Sequence, residues 1–128
     1  LLWRLGVPLS ALILAVTAVE SRFNPFAESV MGAQGLMQVI PKFHQDKLEA
    51  HGTDHSGLLD PQINIRIGAR VLKESISRMG SLEAGLQQYA GALADGDAQY
   101  AAKVVAEKAR LEQAMRQQAT RRTRPVDA

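Results

Sequence analysis

The run from Leu9 to Val19 carries no charged side chain, and Ser10 and Thr17 are its only polar residues. On a helix these residues cover nearly the whole circumference with apolar groups, and such a helix has to be buried. Pro8 and Ser10 supply start signals, so a helix is expected to about Arg22. The run is too short to cross a bilayer, which takes ~20 apolar residues. No basic cluster precedes it, as a signal peptide would require. The chain starts at Leu1 and not at Met, and is read as a fragment or a processed product. A central helix follows, around which the rest of the chain must pack.

The remaining pattern is helical. Asn24-Pro25 ends the first helix, and a glycine-punctuated stretch, Ser29 to Gln38, follows it. Pro41 opens a short helix ending near Gly52, and His51 to Gly57 reads as a polar loop. Asp60-Pro61 forms an N-cap and N1 pair. Ile63, Ile67, Val71 and Ile76 then recur at helical spacing, with Ile65 and Leu72 widening the stripe. Gly80 stops that helix and Ser81 caps the next, which runs through Leu82 and Leu86 to about Tyr89. Asp97 is placed to cap a last helix from about Ala98 to Gln118. No strand pair emerges. The expected class is all-α: one globular domain of about five to seven helices. It is expected over residues 1–118, with 119–128 as a disordered basic tail.

Composition narrows the chemistry. At 128 residues the chain is the size of one domain. It has no cysteine, which excludes disulfides, thiol nucleophiles and zinc–thiolate sites. The net charge of +2 makes no case for nucleic acid. From Arg116 onward the only acid is Asp127, set against Arg116, Arg121, Arg122 and Arg124. That reads as a solvated helix end or as a contact for an anionic polymer. His51 and His55 have zinc-ligand spacing, but Gly52 and the polar surroundings argue against a helix there, and no metal or cofactor is expected.

Glu20 stands at the C-terminal end of the apolar helix. The negative end of a helix dipole raises a carboxyl pKa, and so does burial. A carboxyl that keeps its proton near neutral pH is what protonation of a glycosidic oxygen requires. By itself such a residue is as compatible with a surface glutamate. Gly32 and Gly35 allow close backbone approach, with Gln34, Met37 and Gln38 beside them. Amides and a thioether suit a neutral, hydroxyl-rich ligand. The Lys-Ser/Thr of a phosphate loop is absent.

Taken together, Glu20-Ser21-Arg22-Phe23-Asn24-Pro25, then Ser29, then Gly32-Ala33-Gln34-Gly35-Leu36-Met37-Gln38 and Pro41, resemble the catalytic core of soluble-type lytic transglycosylases. These share the goose-type lysozyme-like fold. Asp60-Pro61, Asn64-Ile65, Gly68 and Leu72 are similar to a helix of the same family, and the likeness covers about Leu9 to Leu111. The resemblance implies a catalytic acid and base at Glu20, and sugar contacts from Ser29 and Gln38. It implies an apolar floor at Met37, a helix position that lines or braces the cleft at Asn64, and a phenol bonded to the catalytic carboxyl at Tyr89. The chain departs from the family after Tyr89, where Ala90-Gly91-Ala92 stands in place of Asn-Ala-Gly, so the asparagine contact is not carried over.

The activity implied is cleavage of the β-1,4 bond between N-acetylmuramic acid and N-acetylglucosamine in peptidoglycan, without water, giving 1,6-anhydromuramyl ends. A hydrolase of the same bond would need a second carboxylate, for which Glu28 is nearest in sequence. A wall-binding module without catalysis is the third reading. The expected partner is the glycan strand, in the bacterial periplasm or cell envelope. The chain is expected to act as a monomer, with a secretion or conjugation complex as an open assembly partner.

Overall fold

A computed structural model describes residues 9–123. Five helices carry the chain: α1 (Leu9–Ser21), α2 (Gln45–Ala50), α3 (Pro61–Met79), α4 (Leu82–Tyr89) and α5 (Gln99–Thr123). Two 3₁₀ turns, Pro41–Phe43 and His55–Leu59, precede α2 and α3. No strand forms among the described residues; isolated bridges pair Glu28 with Gln34 and Gln34 with Val39. The class is all-α.

α1 packs on α5, and α3 packs on α4. The core joins both pairs: Leu12, Ala15 and Val16 of α1 meet Met37, Leu48, Leu58, Ile67, Leu72, Leu86 and Val104. Each such large apolar side chain contributes roughly 1.5–3 kcal/mol by leaving water. The expected stripe of α3 faces inward, with Ile67, Leu72 and Ile76 buried and Ile63, Ile65 and Val71 packed against the cluster. Gly68 has a packing reason to be glycine, because a Cβ there would stand 2.5 Å from the Met37 sulfur.

Helix ends follow the local rules where the signals are strong. Asp60 accepts from the Gln62 and Ile63 amides, and Ser81 accepts from the Ala84 amide. Gly80 closes α3 in the left-handed conformation, with φ 80°. Other boundaries shift. Pro41 starts only a 3₁₀ turn, because the chain breaks at His44 before α2 begins. Part of the expected 51–57 loop is helical, since Asp54 accepts from the Ser56 amide and opens a turn. Ala98 has φ 50°, so α5 starts one residue late, at Gln99.

The last helix also runs past its expected end at Gln118, through Thr123. The expected tail is therefore helical over 119–123. Its residues are tolerated in a helix, and Arg121 and Arg122 sit in the last turn, where cations favour the dipole. The remainder of that expected tail, and the start signal at Pro8, lie outside the described residues.

Candidate active site

Glu20 arrives on the last turn of α1, carried there by a helix whose inner face is locked in the core. The helix then stops abruptly. Arg22 and Phe23 take left-handed backbone, with φ 53° and 63°, a conformation that costs non-glycine residues about 1–2 kcal/mol each. The Ser21 hydroxyl donates to the Leu36 carbonyl at 2.7 Å. That bond ties the end of α1 to the glycine-rich segment and so holds Glu20 against it.

Glu20 is partly buried, and loss of hydration pushes its pKa above the ordinary carboxyl value. Tyr100 opposes this in part: its O–H donates to Glu20 Oε2 at 2.6 Å and favours the anion. The net direction is upward, as the acid step of a glycosidic cleavage needs. Tyr100 belongs to the first turn of α5. Its backbone is set by Gln87, whose buried amide accepts from the Ala101 N–H and donates to the Ala92 carbonyl, both at 2.8 Å.

Tyr89 takes a different post from the one expected. Its O–H donates to the Met37 carbonyl at 2.6 Å and not to the carboxyl. A phenol has one proton to give, and α4 aims this one at the loop. Tyr89 remains within electrostatic reach of Glu20, whose charge adds to burial in pushing the phenol's pKa up. The carboxyl's partner, Tyr100, was missed in the sequence. A signal existed: it is one of only two tyrosines, and it shares a helical stripe with Val104 and Leu111.

The other expected residues divide. Asn64 is fully buried: Oδ1 accepts from the Met37 N–H, and Nδ2 donates to the carbonyls of Gln34 and Leu58, all at 2.8 Å. It braces the loop and lines nothing. Gly35 leaves the room for it, since a Cβ there would meet Asn64 Nδ2 at 2.3 Å, and its φ is 76°. Met37 is not an exposed floor for a sugar ring; its side chain is fully buried over Gly68. The missing side chain at Gly68 leaves the room that it fills.

Ser29 Oγ accepts from the Ala33 N–H at 3.0 Å and closes the turn at Val30-Met31. Gln38 has left-handed backbone at φ 53°, and its amide nitrogen donates to the carbonyls of Ala27 and Gly35. Its N–H groups thus hold the loop. Glu28 is exposed, on the bridge to Gln34.

Two grooves open among the described residues. One, of about 310 Å³, is bordered by Gln38 and Tyr89. The other, of about 690 Å³, runs between α1 and α5 and is bordered by Val19, Arg22, Phe23 and Arg110. Glu20 lines neither; Tyr89, which feels its charge, borders the first, and Val19 and Arg22, near it in the chain, border the second.

Comparison with known proteins finds relatives of this chain. The model of the family described as Transglycosylase SLT domain matches residues 4–119. A transglycosylase of Enterobacteria phage PRD1 is 35% identical over 80 residues, which span 62% of this chain and 28% of that protein. The soluble lytic murein transglycosylase of Escherichia coli K12 is 38% identical over 72 residues, 53% of this chain and 11% of that enzyme. The chain thus spans a minor part of these relatives' length. The X-ray structure of an inactive mutant of lytic transglycosylase Slt from Pseudomonas aeruginosa superposes with a TM-score of 0.73 at 22% identity, covering 90% of this chain and 23% of that one. The fold is that of the lysozyme-like lytic transglycosylases, and by the family match over nearly its whole length the chain belongs to the Transglycosylase SLT domain family.

Proposed function

We propose that this chain is the catalytic domain of a peptidoglycan lytic transglycosylase that cuts the MurNAc–GlcNAc β-1,4 bond, with Glu20 as its single acid and base. The observation that carries this is a partly buried carboxyl whose pKa burial raises and which accepts a hydrogen bond from Tyr100. Glu20 gives its proton to the leaving oxygen. The substrate's own N-acetyl group stabilises the cationic carbon. Glu20, now anionic and still bonded to Tyr100, takes the proton from the muramyl C6 hydroxyl, which attacks C1 and closes the 1,6-anhydro ring. The attacking group is tethered, so its effective concentration is high.

A single carboxyl suffices for this sequence of steps. The two-carboxylate alternative needs a partner several ångströms across the sugar; the residue nearest in sequence, Glu28, is exposed on a loop whose backbone is bridged to Gln34. No described helix is long and apolar enough to cross a membrane. The domain is proposed to act as a monomer on glycan strands in the periplasm or cell envelope. Mass spectrometry of products from purified sacculi tests the reading: muramyl ends lighter by one water are expected, and reducing ends would replace it with the hydrolase.

Tyr100→Phe separates the two roles of the phenol. A hydrogen bond to a charged group contributes about 1.5–3 kcal/mol, so a loss of about tenfold or more in kcat is expected. The carboxyl's pKa should rise further, because the bond that favours the anion is gone. The alkaline limb of the activity profile, where Glu20 loses its proton, should therefore move to higher pH. A shift to lower pH would contradict the assignment of Tyr100.

A further inference from the structure

We infer that Gln87 is a positioning residue for the reaction: its side chain caps α5 from a neighbouring helix and thereby holds Tyr100 on Glu20. This rests on the reading of Glu20 as the acid and base. The case begins with a helix start that cannot cap itself. The first N–H groups of a helix have no acceptor within it, and a side chain just before the helix ordinarily supplies one. The residue before α5 is Ala98, which has no such oxygen and stands in left-handed backbone at φ 50°. Asp97, the expected cap, instead accepts from the Gln99 side-chain amide at 2.7 Å. Ala101 lies in the first turn and is buried, so its N–H needs an acceptor from the protein.

Gln87 supplies it. Buried on α4, it presents Oε1 to the Ala101 N–H at 2.8 Å. The orientation of this amide is fixed, because Nε2 donates to the Ala92 carbonyl at 2.8 Å. Turned over, it would set donor against donor and carbonyl against carbonyl. The Ala92 N–H donates in return to the Gln87 carbonyl at 2.7 Å. One residue therefore joins α4, the connection that leaves it and the first turn of α5. Tyr100 is next to Ala101, and its O–H reaches Glu20 Oε2 at 2.6 Å. A hydrogen bond that short tolerates little displacement. A misplacement of about 1 Å at a reacting group can cost about 10²-fold in rate. The capping bond thus sets the reach of the phenol, although Gln87 is itself bonded to Ala92 and Ala101 and not to the carboxyl.

The test compares Gln87→Met, which keeps the length and removes the acceptor, with Gln87→Glu, which keeps an oxygen toward Ala101. On purified sacculi, Gln87→Met should lower kcat about tenfold at unchanged KM. The alkaline limb of its activity profile should move to higher pH, as expected of Tyr100→Phe. Gln87→Glu should keep kcat within about threefold of the parent. Added to Tyr100→Phe, Gln87→Met should cost no more than about twofold further, because the bond it supports is already gone. A merely structural glutamine would cost the same factor on both backgrounds. That result, or an equal loss in Gln87→Glu, would overturn the inference. Should Gln87→Met not fold, Gln87→Asn, whose shorter side chain draws the oxygen away from Ala101, carries the same expectations. A second readout needs no activity. The chain has two tyrosines, so carbon-13 labelling of their Cζ atoms gives two NMR signals, and Tyr100→Phe identifies one. The Tyr100 signal should move in Gln87→Met, and an unmoved signal would also overturn the inference. A moved signal in a chain that cleaves no glycan would support the placement by Gln87 and sink the transglycosylase reading alone.

Discussion

Glu20→Gln is expected to lower glycan cleavage by about 10³-fold or more, while the domain folds as before. The amide cannot give a proton to the leaving oxygen or take one from the C6 hydroxyl. It can still accept the Tyr100 O–H, so the local geometry survives. Stability gives a second readout, with a definite sign. The pKa of Glu20 is raised in the folded protein, so the folded state binds more protons than the unfolded chain above pH 4.5. Its contribution to stability is full below that pH and is lost as pH rises. The variant should therefore be at least as stable as the parent at pH 7. Any advantage should vanish below about pH 4.5. Muropeptide release at the parent rate would remove Glu20 from the reaction.

Asn64→Ala should be the most damaging change outside Glu20. The Met37 N–H loses its acceptor and the Leu58 carbonyl loses its donor, while the Gln34 carbonyl keeps the Val39 N–H. Each buried group left unpaired costs about 1–3 kcal/mol. A cavity adds to this, and a total of about 4 kcal/mol is expected. That is a large share of the roughly 5–15 kcal/mol that holds a domain together. Urea unfolding should show a lower midpoint at unchanged slope. Asn64→Asp should do nearly as much harm, because a second oxygen would face two carbonyls. A loss below about 1 kcal/mol in Asn64→Ala would mean that the loop is held from elsewhere. Cleavage should fall in the same variants, since the loop that Asn64 braces also carries Met37, to which Tyr89 is bonded.

The candidate site was legible through a family resemblance in the chain and illegible where distant segments meet. Glu20, Ser29, Gln38, Asn64 and Tyr89 were singled out as candidates by the motifs that carry that resemblance. Their duties were less so. Met37 lies in a stretch whose composition suits a sugar, yet Gly68, far along the chain, makes the space that buries it. Ser29 and the Gln38 amide nitrogen hold the loop with bonds to backbone that no sequence pattern displays. Tyr100 is eighty positions from Glu20. Only the packing of α5 on α1 joins them, and Gln87 sets the phenol in place from a third element.

By itself the sequence determined the helices of this protein and the buried course of α1. It also determined the caps at Asp60, Ser81 and Gly80, and the carboxyl that ends the first helix. These depend on side-chain periodicity and on bonds spanning a few residues, which the order of amino acids states directly. Tertiary structure alone decided which tyrosine holds that carboxyl, which side chains border the grooves and which brace the loop. Those choices follow from how far apart the packed helices stand and where a glycine lets them close. Such distances are set by the whole core acting together.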